Sequence, residues 1–328
     1  MRLARFLLCK RKKICYNTIM QREQKDNSFY TLIGKPTPAK ASGLAFSLAA
    51  VLPTLIFAVF LLLMQAFGLV GENYEQADWY LYASYFIPQI SFGVIAWLCL
   101  RYRKTPLKRA VQAQKCPAKY FLVAFVLQIG LLSLSELNAL FLEWLKNFGY
   151  TDAGITLPST AGFGFVGVLF AIAVLPALFE EILFRGILLD GLKESFNERA
   201  AVLICGFLFA LYHQNPAQTI YQFCCGAAFA LVAIRAGSVL PTVLSHFVNN
   251  AFILILYACK VEQIPTPIFV PYVIISALCL IGSLGYLLFL NKPQKREKTG
   301  SGKEFWLFAA VGVLLCTFTW VAVFVSGL

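Results

Sequence analysis

Apolar residues fill the chain in runs of about twenty, separated by short polar stretches. The runs near 43–70, 79–100, 120–145, 163–189, 198–213, 217–235, 239–258, 268–290 and 305–327 each read as a helix. Twenty residues at a rise of 1.5 Å match a hydrocarbon core of about 30 Å. A segment in lipid must bond its own backbone polar groups, and an unbroken apolar run does this as a helix. The pattern predicts an all-α fold, a polytopic transmembrane helical bundle of about eight to nine spans. The run 198–213 is short and merges with its neighbour around Pro216.

Polar breaks divide the chain further. Residues 1–42 read as a basic cytoplasmic arm, 43–145 as N-terminal transmembrane helices and 160–258 as a functional core. A transmembrane helix at 259–290, a basic linker at 291–304 and a C-terminal helix at 305–328 follow. Composition agrees, with 59% hydrophobic and 13% charged residues where soluble domains carry about 25% charge. The net charge of +12 would suit nucleic acid, but its distribution argues otherwise. Ten Lys/Arg precede residue 41, seven lie between Arg101 and Lys119, and five between Lys292 and Lys303, while 71–78 has none. This is a positive-inside pattern, which makes the lipid bilayer the partner of the basic segments and puts the N-terminus in the cytoplasm. The apolar part of Met1–Lys13 is too short for a signal peptide, so the first span is expected to act as an uncleaved anchor. Ten cysteines contain no CxxC pair, and the adjacent Cys224 and Cys225 read as core packing.

Ionisable groups inside these runs carry the chemistry. Glu180, Glu181 and Arg185 lie in the run from Phe163 to Leu189, and the only two histidines, His213 and His246, lie in later runs. A charge at bilayer depth costs roughly 2.5–3.5 kcal/mol on insertion scales, which marks such residues as a functional site facing the protein interior. Residues four apart share a helix face, so Glu181 can pair with Arg185 while Glu180 points about 100° away. The same spacing sets Phe209 over His213 and His246 over Asn250, with Asn249 beside it. Three helices thus offer a carboxylate, an imidazole, and an imidazole with an amide. That set suffices for amide hydrolysis, with Glu180 as general base, His213 orienting the water, and His246 with Asn250 as oxyanion donors. Glu136 reads as a helix-contact residue, Glu143 as interfacial beside Trp144, and the 30 phenylalanines as lipid-facing and packing material.

Glu180-Glu181-xxx-Arg185, Phe209-xxx-His213 and His246-xxx-Asn250, in that order on separate apolar segments, resemble the motif set of the CPBP family. This family comprises the CAAX prenyl endopeptidases and bacterial relatives linked to bacteriocin processing and immunity. The resemblance spans roughly Phe163 to Phe252. It implies that Glu180 and His213 are the main catalytic pair, that His246 and Asn250 shape the oxyanion site, and that Glu181, Arg185, Asn249 and Phe209 support them. The implied substrate is a peptide or prenylated protein. Membrane zinc proteases present His-Glu-x-x-His on one helix, and that motif is absent. A glutamate mechanism without a cofactor is therefore favoured, although zinc is possible on a set formed by His213, His246 and a carboxylate. A non-catalytic scaffold or immunity protein of the same fold, and a proton-coupled transporter, are the rival readings. The absence of an organelle address favours a bacterial cell membrane.

Overall fold

The computed structural model describes residues 37–103, 116–152, 154–261, 265–291 and 300–328. Most of the predicted basic arm, the middle of the second basic segment and most of the basic linker lie outside the described residues. Those described fold as helices joined by turns, without a strand. In chain order they are α1 Pro38–Ala66, α2 Asp78–Tyr102, α3 Lys119–Lys146, α4 Gly164–Ser195, α5 Glu198–Tyr212, α6 Thr219–Ala236, α7 Leu240–Ala258, α8 Thr266–Gly285 and α9 Gly302–Ser326. Eight of the nine are long and apolar enough to cross a membrane. The exception is α5, whose 15 residues extend only about 22 Å.

Several boundaries differ from the hydropathy reading for physical reasons. α1 starts at Pro38 because a proline suits the first helical turn and because the Lys40 ammonium finds Glu304 at 3.3 Å. α3 is interrupted after Leu131 and resumes at Leu134. α4 runs on to Ser195, where its polar last turns meet the end of α2 through Arg103 and Asp190 at 2.8 Å.

Ion pairs gather the basic helix ends at one end of the bundle. Besides Lys40–Glu304 and Arg103–Asp190, Arg235 at the end of α6 grips Glu198 at the start of α5 through two hydrogen bonds of 2.7 and 2.8 Å. Asn291 donates to the Tyr120 hydroxyl at 2.6 Å. At the opposite end Tyr74, Trp79 and Tyr80 pack on one another and on Phe57 and Phe60, as aromatic rings do at a membrane interface.

Small residues set the closest helix contacts, as expected where no hydrophobic effect drives helices together in lipid. α1 and α9 meet along Gly43, Ser47 and Gly312. A Cβ at Gly43 would strike the Phe305 carbonyl, and one at Gly312 would come within 2.8 Å of the Ser47 Cα. The Ser47 hydroxyl accepts from the Gly312 N–H at 3.0 Å and donates to the Phe308 carbonyl at 2.6 Å. It is thereby spliced into the α9 ladder.

The α5–α6 hairpin starts and finishes at the basic end, and its turn stays within the bundle. Gln214 donates to the Cys316 sulfur at 3.7 Å, and the Trp320 indole to the Thr219 hydroxyl at 2.9 Å. Cys316 is about 21 Å along α9 from Gly302. Exposed turn backbone would be costly at such depth. Here Asn215 accepts from the Ala217 N–H at 2.8 Å, and Asn138 donates to the Ala217 carbonyl at 2.7 Å.

Candidate active site

The site is built on two irregularities of α4. Pro176 has no N–H to offer the carbonyl four residues back, that of Ile172. The helix widens there into a π turn over Phe170–Val174, a feature common at functional sites. Asn250 of α7 donates its Nδ2 to the Ile172 carbonyl at 2.8 Å. A second π turn covers Ile182–Leu188, where the Ile187 carbonyl accepts from Ser42 at 2.8 Å and the Phe184 carbonyl from the Cys205 thiol at 3.8 Å. Between the two lies the α-helical stretch that ends in Glu180 and Glu181. Glu180 is about 15 Å from Asp190 along the axis, hence near mid-depth of a core of about 30 Å.

Glu181 and Arg185 are both fully buried. Arg185 Nη1 donates to Glu181 Oε1 at 2.7 Å and its Nη2 to the Gly226 carbonyl at 3.3 Å. Its guanidinium carbon stands 4.3 Å from the Phe209 ring centroid and 5.3 Å from that of Phe229. A buried charge persists when paired, hydrogen-bonded and stacked in this manner. Gly226 makes the carbonyl contact reachable by letting α5 and α6 touch: a Cβ there would lie 2.8 Å from the Gly206 Cα and 3.0 Å from the Phe209 Cβ. Gly226→Ala is therefore expected to destabilise the protein by about 1–3 kcal/mol in thermal unfolding in detergent. Gly282→Ala, with nothing within 4 Å, should stay within about 0.5 kcal/mol of the parent.

Glu180, 7% exposed, faces a different set of groups. Gln89 of α2 donates Nε2 to its Oε1 at 3.0 Å, and its Oε2 lies 3.9 Å from His246 Nε2, too far for a hydrogen bond. His246 Nδ1 is 2.9 Å from Glu181 Oε1. Facing a carboxylate, Nδ1 carries the proton, so a proton on Nε2 as well makes the ring an imidazolium. His213, at the end of α5, has Nδ1 at 2.8 Å from the Phe209 carbonyl. That nitrogen must donate, which leaves Nε2 of the neutral ring as an acceptor. The Phe209 ring touches both histidines, with centroids 4.8 Å from His213 and 6.1 Å from His246.

The asparagines next to His246 form a fixed chain. Asn249 Oδ1 accepts from Gln128 at 2.8 Å and from the Tyr221 hydroxyl at 2.7 Å, and its Nδ2 donates to Asn250 Oδ1 at 3.1 Å. Asn250 is thus tied to Ile172 and Asn249, with one N–H to spare. The fold brings Glu180, Glu181, Arg185, Phe209, His213, His246, Asn249 and Asn250 to one region. Glu136 and Glu143 stand apart, Glu143 pairing with Lys146 at 2.6 Å on the surface.

Sequence reasoning passed over Gln89, Gln128 and Tyr221. Each is a neutral polar group in an apolar run, and depth in the membrane was the one available signal.

Two donors approach one another, Glu180 Oε2 and His246 Nε2, but Glu181 Oε1 is taken by Arg185 and His246. Among the described residues no three His, Cys, Asp or Glu side chains converge as a metal-binding group.

A carboxylate, an imidazole and a neutralised ion pair thus lie buried between the spans of the bundle, with the half-buried His213 beside them. Residues 162–252 match the family model described as Rce1-like, type II CAAX prenyl endopeptidase. Over this core the chain is similar to the CPBP-family intramembrane proteases of the CAAX endopeptidase type, and eight of its helices are long and apolar enough to cross a membrane. No curated protein and no solved structure matches.

Proposed function

We propose that the chain is a glutamate-type intramembrane endopeptidase that hydrolyses a peptide bond in a lipidated or membrane-associated peptide. One observation carries this reading: Glu180 is buried at mid-depth without a guanidinium or ammonium of its own, its Oε1 held by Gln89 and its Oε2 turned toward His246. Glu180 takes a proton from water, and the hydroxide adds to the scissile carbonyl carbon. His213 accepts a hydrogen bond from that water at Nε2, since its Nδ1 is committed to the Phe209 carbonyl. The oxyanion then accepts hydrogen bonds from the Nε2–H of the doubly protonated His246 and from the spare N–H of Asn250. Protonated Glu180 returns its proton to the leaving amine as the C–N bond breaks. The basic end of the bundle faces the cytoplasm in this reading, and a prenylated C-terminal peptide is the natural first substrate to try.

The test is hydrolysis of a mixed set of prenylated, otherwise lipidated and leader-type peptides by the purified protein in detergent, with and without a chelator. Products that persist with chelator support the glutamate mechanism. Products lost with chelator and restored by zinc would overturn it. No product from folded protein across the set would favour the scaffold reading, and pH-gradient-driven flux without products the transporter reading.

A further inference from the structure

Gln89 lies outside residues 162–252, yet its side chain is the one that holds Glu180 from α2. We infer that Gln89 is a positioning residue for the base, fixing Glu180 Oε1 so that Oε2 is the oxygen presented to the water. The inference rests on the assignment of Glu180 as the base.

Three observations converge on it. Gln89 is 5% exposed and its Nε2 lies 3.0 Å from Glu180 Oε1. The amide orientation follows from charge, since an ionised carboxylate accepts only. Next, the approach of α2 to α4 is built for this contact. Residues 89 and 93 share a helix face, and Gly93 receives the ring of Phe179, the residue just before Glu180. A Cβ at Gly93 would lie 3.0 Å from the Phe179 Cε1. A larger residue there would hold α2 off and take Gln89 out of reach. Finally, Gln89 Oε1 is buried with no hydrogen-bond partner among the described residues. A buried free acceptor is costly to leave unpaired, so it calls for a use. An amide beside a reacting centre has one, because water and peptide N–H groups arrive there with protons to share.

A hydrogen bond to one oxygen removes the rotational freedom of the carboxylate, so its loss falls on the chemical step more than on binding. Gln89→Met keeps length and volume while removing donor and acceptor. Gln89→Asn keeps the amide but withdraws it by one methylene, and serves if the first variant does not fold. Each is compared with the parent by kcat and KM on a cleaved peptide. Each is also compared by the infrared carboxylate band of Glu180, identified by its disappearance in Glu180→Gln. The expected result is a roughly ten- to hundredfold fall in kcat, KM within about threefold, and a displaced Glu180 band. An unchanged kcat with the band in place overturns the inference, as does a loss confined to KM. If the parent cleaves nothing, or Glu180→Gln retains turnover, the assignment of the base fails instead. The infrared band then decides by itself whether Gln89 holds Glu180.

Discussion

Arg185→Met is expected to cost about 3–5 kcal/mol of stability, because it strands a buried carboxylate. Glu181 is fully buried, and Arg185 is the permanent cation on its Oε1. Without the guanidinium, the one cation left beside Glu181 is His246, whose charge depends on a proton, while the Gly226 carbonyl loses its donor and two phenyl rings lose the plane between them. Arg185→Lys should recover little, since an ammonium lacks the fork that reaches Glu181 and Gly226 together. Combining Glu181→Gln with Arg185→Met should restore more than half of the loss, because the stranded charge disappears. Thermal or denaturant unfolding in detergent measures all three. A loss below about 1 kcal/mol in the single Arg185→Met variant would show that water reaches Glu181.

Glu180→Gln should lower kcat by about 10²- to 10⁴-fold, the usual worth of a positioned general base, and leave folding nearly intact. The contrast with Arg185 follows from the neighbours. Glu180 has no guanidinium to strand, and a glutamine carbonyl can still accept from Gln89 at the position of Oε1. Unfolding within about 1 kcal/mol of the parent, together with lost turnover, is the expected pair of results. Turnover retained in the variant would move the base elsewhere and leave Glu180 a helix-joining residue. A parallel loss of fold and turnover would mean that Glu180 is structural.

The helical bundle was legible because apolar runs of bilayer length leave the backbone little choice. Charges inside such runs are so costly that Glu180, Glu181 and Arg185 stood out from the sequence at once. Spacing alone makes Glu181 and Arg185 neighbours, and they lie 2.7 Å apart. What spacing cannot give is contact between helices. His246 meets Glu181 through Nδ1, and Asn250 meets a carbonyl that Pro176 leaves free; both depend on how α7 lies against α4. Gln89, Gln128 and Tyr221 were hidden for the same reason, each being an isolated neutral residue whose partner is distant in sequence. That the turn after α5 stays inside the bundle was not legible, because hydropathy reports apolar character and not depth. Asn138 and Asn215 supply from the side the hydrogen bonds that let such a turn remain inside.

The pairing of α1 with α9 sets an order of assembly. Gly43 and Ser47 form a groove early in the chain whose partner, Gly312, is made 265 residues after Ser47, roughly ten to fifty seconds at ordinary rates of synthesis. By the end of that interval the core helices α4 to α7 have been made, while the outer face of α1 has met only lipid or another protein. Closure of the bundle is thus reserved for its last helix. Supplied separately, the Gly302–Ser326 segment should find a chain shortened before residue 300 and complete it.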